Sequence, residues 1–210
     1  SGSKDPLTLG RLPSLQDEVE VLGYPTGGDS MSVTSGVVSR IEVQEYAHAG
    51  KSLLAMQIDA AINEGNSGGP VIDEDLEVVG VAFQALDAAE NIGYVVPVTV
   101  LRWFLEDLRR NEGQYTGFCE LGVLMSTLEN PAFRLSLGMA EDQSGVMVRD
   151  VRPTASTSGL VLPRDVIMAV DGISVANDGK IPFRRGERAS LAGYVQTKFA
   201  GDTLRLTLLR

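Results

Sequence analysis

Gly65-Asn66-Ser67-Gly68-Gly69-Pro70 places one serine among three glycines and closes with a proline. Before it runs the apolar, strand-like Leu53-Leu54-Ala55-Met56-Gln57-Ile58, and after it come Val71-Ile72 and a further strand. A serine hydroxyl is a weak nucleophile unless it is held still, exposed and paired with a base. Flanking glycines permit positive φ and leave room for a substrate. They also let successive N–H groups converge on one point, as a developing oxyanion requires. A glycine-rich turn between two strands has the same composition, so the short string alone does not separate a nucleophile from a plain turn.

The bulk of the chain narrows the classes. Its 210 residues have room for one or two domains, and 43% apolar residues suffice for a real core. With 18 basic and 28 acidic residues the net charge is -10. That balance carries no footprint for nucleic acid and no basic cluster for anionic lipid. The single cysteine, Cys119, excludes an internal disulfide, suits a reducing compartment and reads as a small buried hydrophobe. One cysteine and one histidine make a structural zinc site improbable. No apolar run is long enough to span a membrane. No signal or transit peptide opens the chain, and Ser1-Gly2-Ser3 reads as a cloning scar or a cut end.

Working outward, Asp5 to Arg11 is a turn-rich lead-in. Glu18 to Leu22 alternates charged and apolar residues as a strand does, and Met31 to Val43 reads as one or two strands. Glu45 to Ser52, which holds His48, reads as a loop. Leu53 to Ile58, Glu77 to Phe83 and Ile92 to Val96 read as strands, with an acidic loop at Asp87 to Asn91. Val98 to Asn111 switches to helical spacing, with Val100, Trp103, Phe104 and Leu108 on one face and Gly113 as a stop. Short antiparallel strands closed by a helix predict a small β-barrel over residues 1–112. A second unit, 113–210, has expected strands at Leu121 to Met125, Val146 to Val151, Val166 to Val170 and Leu204 to Leu209. It has expected helices at Asn130 to Leu137 and Ala189 to Phe199, an α+β composition. The fold class is therefore mainly β.

The longer string Asp59-Ala60-Ala61-Ile62-Asn63-Glu64-Gly65-Asn66-Ser67-Gly68-Gly69-Pro70 resembles the nucleophile segment of trypsin-like serine proteases, in the DegP/HtrA form. Val78 to Phe83, Asn91 to Pro97 and Thr34 to Ser39 resemble strands of the same domain. Leu121-Gly122-Val123, Gly145 to Val148, Asp165 to Gly172 and Phe199 to Asp202 resemble a PDZ domain. The wording Gly23-Tyr24-Pro25, Tyr46-Ala47-His48 and Glu129-Asn130-Pro131 looks closest to plant and algal organellar Deg proteases of the chloroplast type. Two positions depart from the pattern. Glu64 stands where the family usually has proline, and Arg164 where it has glycine.

The resemblance implies the second barrel of a trypsin-like protease domain followed by a PDZ domain. It implies an ATP-independent serine endopeptidase of protein quality control, trimer-based, needing no metal or cofactor. Its partners would be unfolded or damaged proteins and peptide C-termini. Ser67 would be the nucleophile, and backbone N–H groups of Gly65, Asn66 and Ser67 would form the oxyanion hole. Ala82-Phe83-Gln84 would pair with substrate backbone, and Ala61, Ala82 and Gly93 would shape a small uncharged pocket. Leu121, Gly122 and Val123 would receive a peptide carboxylate beside a groove lined by Leu191 and Val195. The family's catalytic histidine and aspartate precede the serine in an upstream barrel and have no counterpart here, so the chain alone is expected to be inactive. His48 reads as a solvated loop residue, Asp59 as loop support, and Arg184, Arg185 and Arg188 as a solvated face. A non-catalytic peptide-binding scaffold is the competing class.

Overall fold

In the computed structural model, which describes residues 5–24, 30–46, 51–62, 65–85, 92–184 and 187–210, the chain divides into two compact units. They are Ser1–Tyr115 and Thr116–Arg210. The first contains β1 (Glu18–Gly23), β2 (Ser32–Tyr46), β3 (Lys51–Ile58), β4 (Pro70–Ile72), β5 (Val78–Ala85), β6 (Gly93–Pro97) and α1 (Val98–Arg110). All six strands close into a barrel in the order β1-β2-β3-β6-β5-β4, with β4 returning to β1 at Val21↔Val71. Barrel closure leaves no free edge along most of the sheet, and only side chains fill the interior.

Period-two alternation builds the barrel. In β1 Val19 and Val21 are buried while Glu18 and Glu20 face solvent. The interior joins them to Val38, Met56, Ile58, Val71, Val79, Ala82 and Val95. β2 is long enough to pair with β1 through its first half and with β3 through its second. It runs on to Tyr46, and β3 starts at Lys51, so both ends of the loop expected at Glu45 to Ser52 are strand; residues 47–50 lie outside the described residues. α1 packs on β5 and β6. Its buried face holds Val98, Trp103 and Asp107, whereas Phe104 is 39% exposed and pairs with Tyr115 at 5.4 Å. The helical period was legible, but its buried stripe lies beside the one expected.

The second unit contains β7 (Val123–Ser126), α2 (Pro131–Ser136), β8 (Val146–Val151), β9 (Val166–Val170), β10 (Ile173–Ser174), β11 (Lys180–Arg184), β12 (Glu187–Ser190), α3 (Leu191–Val195) and β13 (Leu206–Leu209). One sheet runs β10-β9-β8-β7, with β13 also on β9, and β11 and β12 form a separate hairpin. Val146, Val148, Ile167, Val170, Ile181, Leu191 and Val195 make its core. Asn130 caps α2 by accepting from Ala132 N–H at 2.9 Å, with Pro131 pre-set for the first turn. α3 is shorter than the expected Ala189 to Phe199. Ala189 and Ser190 end β12, and the Ser190 hydroxyl caps the helix at Gly193 N–H, 3.0 Å away. Cys119 is half-buried against this core.

Candidate active site

The serine lies in the turn between β3 and β4. Gly65 sits at φ +98° and Gly68 at φ +87°, which only glycine adopts without strain. The turn is tied down on both sides of Ser67. Gly69 N–H donates to Asn66 O at 2.9 Å, and Tyr24 N–H donates to Gly65 O at 3.3 Å. Gly68 N–H donates to Ala82 O at 2.6 Å, and Ala82 N–H returns a bond to Gly69 O at 3.0 Å. Gly65, Ser67 and Gly68 are exposed. Among the described residues neither Gly65 N–H nor Ser67 N–H donates a hydrogen bond within the protein, so both remain available to an incoming oxygen. No described side chain hydrogen-bonds the Ser67 hydroxyl. His48 and Glu64 lie outside the described residues.

Asn66 is the opposite of its neighbour. It is completely buried, and among the described residues neither its Oδ1 nor its Nδ2 has a hydrogen-bond partner. Gly23 makes room for it: a Cβ there would stand 2.5 Å from Asn66 Oδ1 and 2.7 Å from its Cα. Upstream, Thr34 Oγ1 donates to Ala61 O at 2.8 Å, and Asp59 Oδ1 accepts from Val37 N–H at 2.5 Å. Asp59 therefore fastens the loop to β2.

β5 forms the wall opposite. β4 pairs with it only as far as Pro70↔Val81, and Gly68 and Gly69 take up Ala82. Past Ala82 the described pairing of β5 is with β6 alone, at Gln84 and Ala85, which leaves one edge of β5 without a described strand partner. The Ala82 side chain is buried in the barrel core, Ala61 is half-buried, and Gly93 is buried against Ile62. Gln84 sits at the open edge, paired with Tyr94. Phe83 is half-buried between two rings, with Tyr46 at 4.5 Å and Tyr94 at 6.3 Å. Burial pushes the Tyr46 phenol up. In the sequence these two tyrosines entered only within stretches quoted for the resemblance, because their contact with Phe83 depends on which strands the barrel brings together.

In the second unit Gly122 holds φ +67° and precedes β7, an edge strand paired with β8. Among the described residues the N–H groups of Leu121 and Gly122 make no backbone hydrogen bond. Leu191 and Val195 are 1% and 4% exposed, and Leu121 and Val123 pack against the cluster they belong to. Arg184 pairs with Glu187 at 2.9 Å and Arg188 with Asp178 at 2.6 Å, so two of the three arginines carry hairpin ion pairs; Arg185 lies outside the described residues. No group of three or more potential metal ligands occurs among the described residues. Among the described residues no helix is long and apolar enough to cross a membrane.

Comparison with known proteins agrees with this geometry. The trypsin-like peptidase domain family matches residues 2–81. Protease Do-like 2, chloroplastic, from Arabidopsis thaliana is 51% identical over 208 residues, which is 98% of this chain and 34% of that protein. Protease Do-like 4, mitochondrial, from the same plant is 43% identical over 98% of this chain and 39% of its own length. The chain thus spans between a third and two fifths of these relatives. A solved structure of the HtrA-type protease AlgW with a decapeptide superposes with a TM-score of 0.68 at 26% identity, covering 97% of this chain and 60% of that one.

Proposed function

Because this chain belongs with the Do-like, DegP/HtrA-type trypsin-like proteases, we propose that it is the nucleophile-bearing part of an ATP-independent serine endopeptidase of protein quality control. The observation that carries the reading is Ser67, exposed on a turn whose Gly65 and Ser67 N–H groups make no hydrogen bond among the described residues. In that reading Ser67 attacks the scissile carbonyl. The Gly65-Asn66-Ser67 backbone stabilises the oxyanion, the largest single contribution in acyl transfer. The open edge of β5 at Phe83 to Ala85 takes the substrate as an added strand. Ala61 offers the wall of a small uncharged pocket, suited to short apolar side chains.

The base comes from outside the described residues. An upstream barrel bearing histidine and aspartate supplies it, so this chain alone is inactive on peptide bonds. Residues 113–210 act as a PDZ-like module that receives extended peptide or a C-terminal carboxylate at Leu121, Gly122 and Val123. The parent protein works in the chloroplast as a trimer-based assembly on unfolded or damaged proteins.

The test is turnover of unfolded casein by the purified chain and by a longer protein that adds the upstream barrel. We expect none from the short chain, and turnover from the long one that Ser67→Ala abolishes and His48→Ala leaves intact. Turnover by the short chain that both substitutions abolish would make His48 the base. A silent long protein that still binds peptides would favour the scaffold.

A further inference from the structure

β5 carries a bulge beside the serine loop. Ala82 pairs with Val95 and Gln84 with Tyr94, so Phe83 has no register partner on β6. A bulged residue loses its place in the ladder, and its strand bends there. Something other than the ladder must fix Phe83. Its ring stacks on Tyr46 with centroids 4.5 Å apart and planes 29° apart, and Tyr94 meets it tilted at 6.3 Å and 47°. Both spacings fall where aromatic rings attract. Tyr46 is itself anchored: it is 9% exposed, and its hydroxyl donates to Leu54 O at 2.6 Å.

The bulge is one residue from the nucleophile's support. Ala82 holds Gly68 N–H at 2.6 Å and donates to Gly69 O at 3.0 Å, and these two glycines follow Ser67 directly. We propose that Tyr46, Phe83 and Tyr94 form an aromatic clamp that fixes the β5 bulge and, through Ala82, the serine loop. Tyr46 is then a positioning residue for the hydrolysis proposed above, on which its catalytic consequence rests. It does not touch the reacting atoms.

Amide exchange by NMR on the 210-residue chain tests the clamp without requiring activity. Tyr46→Leu keeps apolar cover but removes the ring. Exchange at Gly68 and Ala82 should then rise about tenfold, while Val38 N–H, which donates to Asp17 O at the end of the β1–β2 ladder, stays protected. Tyr46→Phe keeps the stack and loses only the bond to Leu54 O, so its exchange at Gly68 and Ala82 should stay much closer to the unaltered chain than to Tyr46→Leu. Phe83→Leu, which removes the central ring, should reproduce the pattern and serves if Tyr46→Leu fails to fold. Unchanged exchange at Gly68 and Ala82 would overturn the proposal. So would an equal rise at Val38, or a Tyr46→Phe variant that behaves like Tyr46→Leu. In the longer protein Tyr46→Leu should lower kcat about tenfold with Tyr46→Phe restoring it. If that protein shows no Ser67-dependent hydrolysis, the protease reading fails and exchange alone decides the clamp.

Discussion

Gly65 and Arg164 share a backbone region and differ in what they can tolerate there. Gly65 stands at φ +98° and Arg164 at φ +77°. A side chain in left-handed conformation costs about 1–2 kcal/mol per residue. Gly65→Ala should therefore destabilise the first unit by roughly that amount, read as a lower urea midpoint. Arg164→Gly should stabilise the second unit by up to about 1 kcal/mol, read the same way. Arg164 N–H donates to Val148 O at 2.8 Å, and glycine keeps that bond. The sequence showed both positions, one as a glycine beside the serine and the other as a departure from the family glycine. It did not show Asn66's buried amide, because a side chain's surroundings depend on what the fold brings near it. Nor could spacing decide whether Leu191 and Val195 face a groove or a core, since both faces of a short helix read as apolar.

Among the elements, those with one clear period were legible. β1 alternates, α1 repeats at helical spacing, and α2 announces itself by Asn130-Pro131. Asn130→Ala should cost about 1 kcal/mol of second-unit stability, since it removes the acceptor for Ala132 and Phe133 N–H. Thermal melts of the two chains would measure it. The hairpin of β11 and β12 was not legible. Pro182 and the arginines around it carry no alternation, and what fixes the hairpin is buried Ile181 with the ion pairs Arg184–Glu187 and Arg188–Asp178. Such cross-strand pairing is a property of register, which the linear string does not display.

For the molecule as a whole, acid should strike the second unit through its buttressed carboxylates. Lys198 at 2.6 Å, with Arg205 N–H and the Tyr194 hydroxyl, holds Asp171 down at about 2. Arg210, bonded through Nε at 2.9 Å and through a second nitrogen at 2.8 Å, holds Asp165 below the usual carboxylate range. A folded-state pKa below the unfolded value of about 3.9 gives stability that is complete above pH ~4. For Asp171 that stability is lost as the pH falls toward about 2. Lys198 is raised by the same contact, so its share is complete below about pH 10 and fades above it. Stability against urea between pH 5 and pH 2 should fall more steeply in the unaltered chain than in Asp171→Asn.

The claim at the centre is that Ser67 is a nucleophile waiting for a base that the rest of the protein supplies. A fluorophosphonate, which bonds covalently only to an activated serine, reports that state directly, with the modified residue located by mass spectrometry. A single adduct on Ser67 is expected in the longer protein carrying the upstream barrel, and none on the 210-residue chain under the same conditions. An adduct on Ser67 of the short chain at a comparable rate, or a longer protein labelled at another residue, would contradict it.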